Sequence, residues 1–233
     1  MSHFDLDNLT ANLAKKSGAK ILLSEKKEKK ETLESFDRII GCDGVNSLVR
    51  KWLNLPEQKF YLGIQGFIKK ENKSNYLEVW PIKNGFLCHL DKGFIWKIPR
   101  GKETEWGIMA NPKKAKNLFD EFLRKKEISL EKMTSALIPQ SYPFFRNSSI
   151  TLCGDAAGLT KPWSGGGVIW GLTAANLLLK NFPDFLKYEK ELKKYFLPKI
   201  FFSKIAVKMV YFLGFNIPWL IPKKTTIESD FLL

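Results

Sequence analysis

The stretch Cys153–Leu172, CGDAAGLTKPWSGGGVIWGL, decides how this sequence is read. A short strand is expected over Ser149–Cys153, and an acid, Asp155, stands just past its end. Gly165, Gly166 and Gly167 then open a helix expected to run from about Gly166 to Lys180. Glycine permits close backbone approach, and a helix N-terminus offers unpaired N–H groups with a partial positive charge. Together these suit an anionic or electron-rich group at the carboxyl end of a strand, with Asp155 accepting hydrogen bonds from sugar-like hydroxyls. For the three glycines alone, a turn that merely packs a helix on a sheet is the alternative.

Upstream, Ile39–Lys51 (IIGCDGVNSLVRK) has the same design. A strand over Phe36–Ile40 runs into Gly41-Cys42-Asp43-Gly44, followed by Ser47, Arg50 and a short helix. Asp43 and Gly44 can make the turn, and Arg50 can reach a phosphate. An ordinary turn is again the alternative. Further upstream, Asp5–Ser17 reads as an amphipathic helix with Leu6, Leu9 and Leu13 on one face and Gly18 at its end. Ala19–Leu23 reads as a strand, and Glu25–Glu31 as a solvated charged turn.

Between the two glycine-rich segments the texture changes. Apolar stretches recur at Tyr61–Ile68, Tyr76–Ile82, Phe86–Leu90, Phe94–Ile98 and Trp106–Ala110, separated by turn signals such as Lys83-Asn84-Gly85, Asp91-Lys92-Gly93 and Arg100-Gly101-Lys102. That spacing marks an antiparallel sheet. Lys113–Lys126 and Ser129–Leu137 read as helices, as do Asp184–Tyr195 and Lys199–Leu213 near the end. The order describes an α/β chain with an inserted sheet, and that sheet is the natural place for a substrate.

Composition narrows the function classes. The 233 residues are 44% hydrophobic and 27% charged, which excludes wholesale disorder. Three cysteines, Cys42, Cys88 and Cys153, lie far apart without a CxxC pair or a Cys/His cluster. That excludes a disulfide framework, gives no metal site and implies a reducing compartment. Cys42 and Cys153 read as small buried hydrophobes, and His3 and His89 as ordinary packing or surface residues. The net charge is +14, yet only five of the 38 basic residues are arginine. A lysine-dominated excess fits a solvated surface or one facing anionic lipid, not nucleic acid. No signal peptide opens the chain, and no run is long enough to span a bilayer.

Two motifs now stand in order: Gly41-Cys42-Asp43-Gly44-(x)2-Ser47-(x)2-Arg50, and Gly154-Asp155-Ala156-Ala157-Gly158-(x)3-Pro162-(x)2-Gly165-Gly166-Gly167. The pair resembles the second and third FAD motifs of para-hydroxybenzoate-hydroxylase-like flavoproteins. Between them, Gly93-Phe94-Ile95-Trp96-Lys97-Ile98-Pro99 resembles the Tyr-x-Trp-x-Phe-Pro block of the geranylgeranyl reductase family, with Phe94 in place of the tyrosine and Ile98 in place of the phenylalanine. The tail Tyr188–Leu213 is similar to that family's C-terminal helices.

The resemblance implies an incomplete FAD-binding Rossmann-like domain (1–58 and 146–181), an antiparallel-sheet substrate domain (59–145) and a C-terminal helical region (182–233). It implies FAD as cofactor, with Asp43, Gly44, Arg50, Gly154, Asp155, Ala156, Pro162 and Gly165–Gly167 at the cofactor. Asp155 would bond the ribityl or pyrophosphate region. Phe94, Trp96 and Pro99 would line a channel for an isoprenoid lipid whose double bonds are reduced, with NAD(P)H or a ferredoxin as electron donor; burial in an ordinary sheet core is the alternative for these three. A related flavin monooxygenase or halogenase-like enzyme, or a non-catalytic remnant that binds membrane surfaces, is the alternative.

One departure stands out. These flavoproteins begin with a strand–Gly-x-Gly-x-x-Gly–helix that holds the FAD pyrophosphate, and this sequence has none. A separate chain supplying that unit is therefore an expected partner, and weak FAD binding by this chain alone an expected property. Lys199, Lys204, Lys208, Lys223 and Lys224, interleaved with Phe201, Phe202, Val210 and Phe212, fit either a packed helical cap or an interfacial helix, the latter implying peripheral contact with the inner face of the cell membrane from a cytoplasmic location.

Overall fold

The computed structural model describes residues 3–26, 29, 35–82, 93–141 and 145–224. The chain divides into two compact units, one reaching Asp37 and one beginning at Arg38. The first holds helix α1 (His3–Lys16), with Asp5 in its first turn and Lys15 and Lys16 in its last, which complements the helix dipole. Gly18, at φ 91°, ends it, as expected. The expected strand Ala19–Leu23 is not formed. No described segment pairs with it, and Leu22 and Leu23 are exposed; without a paired neighbour, β-favouring residues do not make a strand.

The second unit runs β1 (Ile39–Gly41), α2 (Leu48–Trp52), β2 (Phe60–Ile68), β3 (Glu78–Pro81), β4 (Phe94–Pro99), β5 (Thr104–Ala110), α3 (Ala115–Lys125), β6 (Glu131–Pro139), β7 (Ile150–Leu152), a 3₁₀ turn (Gly154–Ala157), α4 (Val168–Asn181) and α5 (Phe185–Asn216). β1 and β7 form a two-stranded parallel sheet, and the others a five-stranded antiparallel sheet in the order β3-β4-β5-β2-β6. The expected strand Phe86–Leu90 and residue His89 lie outside the described residues, as do the side chain of His3 and most of the charged run Glu25–Glu31.

Two further expectations are corrected. Ser129–Leu137, expected as a helix, is strand β6, paired along β2 from Phe60↔Pro139 to Phe67↔Glu131. Pairing against an existing edge overrides local helix preference. The two helices expected after Asp184 are one, α5, continuous through Pro198. Phe196 and Ile200 flank that proline on the same buried face as Phe185, Tyr188 and Leu192. Packing on both sides of the proline holds the helix together across the missing N–H.

Two cores result. Ala115, Phe119 and Leu123 of α3 cover one face of the antiparallel sheet, against Ile64, Ile95, Trp106 and Ile108. Trp80 stacks on Trp106 with ring centroids 5.6 Å apart. The second core gathers Val49, Ile150, Leu152, Trp170, Ala174, Leu178 and the buried stripe of α5 around the parallel pair. Among the described residues no helix is long and apolar enough to cross a membrane.

Candidate functional site

The two sequence motifs meet at the carboxyl ends of β1 and β7. Register pairs Gly41 with Leu152, and the Cys153 N–H donates to the Gly41 carbonyl at 2.9 Å. The turns that follow, Cys42–Gly44 and Gly154–Gly158, therefore leave adjacent strand ends. Gly44 (φ 75°) and Gly154 (φ 61°) take left-handed conformations, and a Cβ at either would meet nothing within 4 Å. Both backbones face open space.

The neighbouring side chains sort into those that hold the turns and those left to meet a ligand. Asp43 Oδ2 accepts from Leu48 N (2.7 Å) and Val49 N (3.2 Å), and Ser47 Oγ accepts from Arg50 N (2.9 Å). Asp43 and Ser47 thus cap α2. Arg50, expected to reach a phosphate, is only 7% exposed and donates to the carbonyls of Pro56 and Ala156, both at 3.3 Å. Its desolvation lowers its pKa. Arg50 is a tie between the two turns, not an open anion contact. Ala156 and Pro162 are likewise buried, and shape the loop instead of facing outward.

Asp155 keeps part of its surface in solvent, yet enclosure by the surrounding loop raises its carboxyl above the usual range. A Cβ on Gly167 would lie 2.9 Å from Asp155 Oδ1. The carboxylate therefore rests against the start of α4, which opens at Gly167 without a side-chain cap. A Cβ on Gly165 (φ 73°) would lie 2.7 Å from Met109 Sδ and 3.1 Å from Ile138. This seats the glycine turn directly on the antiparallel sheet.

The face it sits on carries two of the three expected substrate residues. Phe94 pairs with Met109, and Trp96 with Gly107. The Trp96 ring lies over Gly107, where a Cβ would come within 2.2 Å of it, and its Nε1 donates to Glu105 Oε1 at 2.9 Å. Phe94 and Trp96 are tilted neighbours with centroids 5.7 Å apart. Pro99 does not join them. It pairs with Thr104, and strand alternation assigns it to the α3 side with Ile95 and Lys97.

Several residues here carried no signal in the sequence. Gln58, 6% exposed, donates through Nε2 to the carbonyls of Asp155 (3.2 Å) and Ala156 (3.3 Å). Gln140 donates to Thr160 Oγ1 at 2.8 Å, and Thr160 Oγ1 donates to the Pro139 carbonyl. Lys161 is 5% exposed, and burial lowers its pKa. These groups fix the loop that carries the glycines to the sheet. Cys42 corrects another expectation: it is exposed, whereas Cys153 is buried as expected.

The fold defined by this site, a parallel pair ending in two glycine turns beside an antiparallel sheet, is shared with several solved structures. One is a geranylgeranyl bacteriochlorophyll reductase-like protein from Thermoplasma acidophilum, at TM-score 0.58 and 22% identity over 75% of this chain and 50% of that one. Another is a variant of Klebsiella pneumoniae HpxO complexed with FAD, at TM-score 0.55 and 14% identity over 78% and 54%. A third is a flavin-dependent halogenase from Xanthomonas campestris, at TM-score 0.53 and 14% identity over 72% and 36%. At these identities the likeness is one of fold. The chain spans about half the length of the first two. No protein-family model matches the sequence.

Proposed function

We propose that this chain forms part of an FAD-dependent oxidoreductase that reduces double bonds of an isoprenoid lipid. The observation that carries this reading is the seating of Gly165 on Met109, paired to Phe94 on the sheet face that also bears Trp96. It sets a glycine-opened helix N-terminus and an acid beside an aromatic apolar surface. The residues fit the flavin end of FAD: Asp155 for the ribityl hydroxyls, the uncapped start of α4 for the electron-rich edge of the ring, and the open backbones of Gly44 and Gly154 for close approach. Among the described residues no strand–glycine–helix unit fits the diphosphate, so a second polypeptide segment is proposed to bring it.

When bound, FAD would take up two reducing equivalents, as a hydride from a nicotinamide or as single electrons with protons when a ferredoxin is the donor, and would supply a hydride to a carbon–carbon double bond. The chain's own residues orient and exclude water. Phe94 and Trp96 offer apolar surface to a prenyl chain, Glu105 fixes the indole through Nε1, and Arg100 pairs with Glu105 at 2.7 Å. Peripheral contact with an anionic membrane surface is part of the proposal, because a prenyl lipid must be loaded from a bilayer or a carrier.

The test is FAD titration followed by product analysis. The 233-residue chain alone is expected to bind FAD weakly, and addition of a polypeptide carrying a strand–Gly-x-Gly-x-x-Gly–helix unit to tighten binding by about tenfold or more. Gly154→Val is expected to abolish that gain. Stoichiometric tight FAD in the chain alone overturns the two-segment arrangement. No gain from the added unit, and no effect of Gly154→Val, overturns the flavin reading. With flavin bound, a saturated prenyl product supports the reductase, whereas an oxygenated or halogenated aromatic product replaces it with the monooxygenase or halogenase alternative.

A further inference from the structure

Cys42 and Cys153, 111 positions apart in the sequence, occupy the next pair of positions beyond Gly41↔Leu152 on the parallel strands β1 and β7. The Cys153 N–H bond to Gly41 continues the ladder to this point. Neighbouring strands lie about 4.8 Å apart, inside the roughly 4.4–6.8 Å Cα separation that a disulfide bridges. Neither cysteine is in a disulfide, and the Cys153 thiol donates to the Gly171 carbonyl at 3.8 Å. One is exposed and the other buried, at the base of the two glycine turns.

We propose that Cys42 and Cys153 form a redox-active dithiol that closes to a disulfide by exchange with a small-molecule disulfide of the glutathione class. Cys42, the accessible sulfur, attacks one sulfur of the oxidised partner; a mixed disulfide forms, and the first thiolate leaves with the proton lost by Cys42. Cys153 then attacks the Cys42 sulfur, breaking the mixed disulfide and releasing the second thiol with the remaining proton. Two cysteine thiols are oxidised, one external disulfide is reduced to two thiols, and no other reactant is required.

The surroundings suit the resolving step. Cys153 is held below the ordinary thiol range by its polar neighbours, the Cys42 thiol first and then the Tyr188 hydroxyl and the Gly154 backbone, against the opposing effect of its burial. Cys42 is raised by that neighbour and by burial, so its attack, which needs the thiolate, is the slow step, and its exposure rather than its acidity makes it the first sulfur to react. A resolving thiol that ionises readily beside an exposed partner favours ring closure over a lasting mixed disulfide. The cross-link would fix the separation of the strand ends that carry Gly44 and Gly154. The inference stands on the strand register and is independent of the flavin reading.

The test equilibrates the full chain in glutathione buffers, blocks remaining thiols with N-ethylmaleimide, and maps peptides without reduction. The expected result is joint loss of Cys42 and Cys153, a peptide pair linked through them, and Cys88 still alkylated. In Cys153→Ser, a glutathione adduct should persist on Cys42 at about tenfold or more above wild type, because the resolving thiol is gone. Cys42→Ser should yield neither adduct nor cross-link, and keeps the test decisive should Cys153→Ser fail to fold. Wild-type Cys42 holding as much adduct as Cys153→Ser, a cross-link through Cys88, or three unreacted thiols in strongly oxidising buffer each overturns the proposal.

Discussion

At Gly107 a single missing side chain decides where an aromatic ring can lie. A methyl group there would come within 2.2 Å of the Trp96 ring and 2.8 Å of the Ile64 carbonyl, so the indole covers the strand only because the position is glycine. Gly107→Ala should displace Trp96 from Glu105 and destabilise the fold by about 1–3 kcal/mol, read by urea unfolding alongside a shift in tryptophan emission. An unchanged midpoint and spectrum would show that the sheet accommodates the methyl group. Much of the site is legible at this scale. Asp155, Gly154 and Gly165–Gly167 sit where a strand end followed by a glycine-opened helix implies. Arg50 was not legible, because sequence records its charge but not the Pro56 and Ala156 carbonyls that enclose it. Cys42 and Cys153 were read singly, since nothing in their spacing announces that two strands will bring them side by side.

Elements were readable where their periodicity was local. Helix α3 and strands β4 and β5 fall within a few residues of their expected spans, each having its own pattern and clear flanking turns. Strand β6 was misread because its state is set by a partner, β2, about seventy residues earlier in the chain. Helix α5 was read as two because Pro198 is a local breaker, while the buried face that overrides it spans both halves. This proline is exposed, so Pro198→Ala would restore a backbone hydrogen bond at little packing cost. Stability should rise by roughly 1–3 kcal/mol, measured as a higher urea midpoint at unchanged m-value. A lower midpoint would mean that the ring itself is packed.

For the molecule as a whole, the second half of α5 carries exposed Phe201, Phe202, Ile205, Met209 and Val210. Around them stand Lys199, Lys204, Lys208, Lys223 and Lys224. Each lysine near an anionic surface contributes about 1 kcal/mol, weakened by salt. Sedimentation with vesicles containing phosphatidylserine should therefore exceed that with neutral vesicles at low salt, and fall as salt rises. Equal binding to both, or none to either, would remove the membrane from the proposal.

The same helix ties distant parts of the fold together. Near its start, Tyr188 donates to the Leu152 carbonyl beneath the parallel pair; near its end, Tyr211 donates to the Gly93 carbonyl at the head of β4. Roughly six turns separate these anchors, and each residue added between them rotates everything downstream by about 100° and advances it by about 1.5 Å. One inserted or deleted residue would swing Tyr211 away from Gly93. Seven would nearly restore the angle but overshoot by about 10 Å. Between its two tyrosines the helix is thus phase-locked: its exposed positions can take other side chains, whereas its length is fixed by the two anchors.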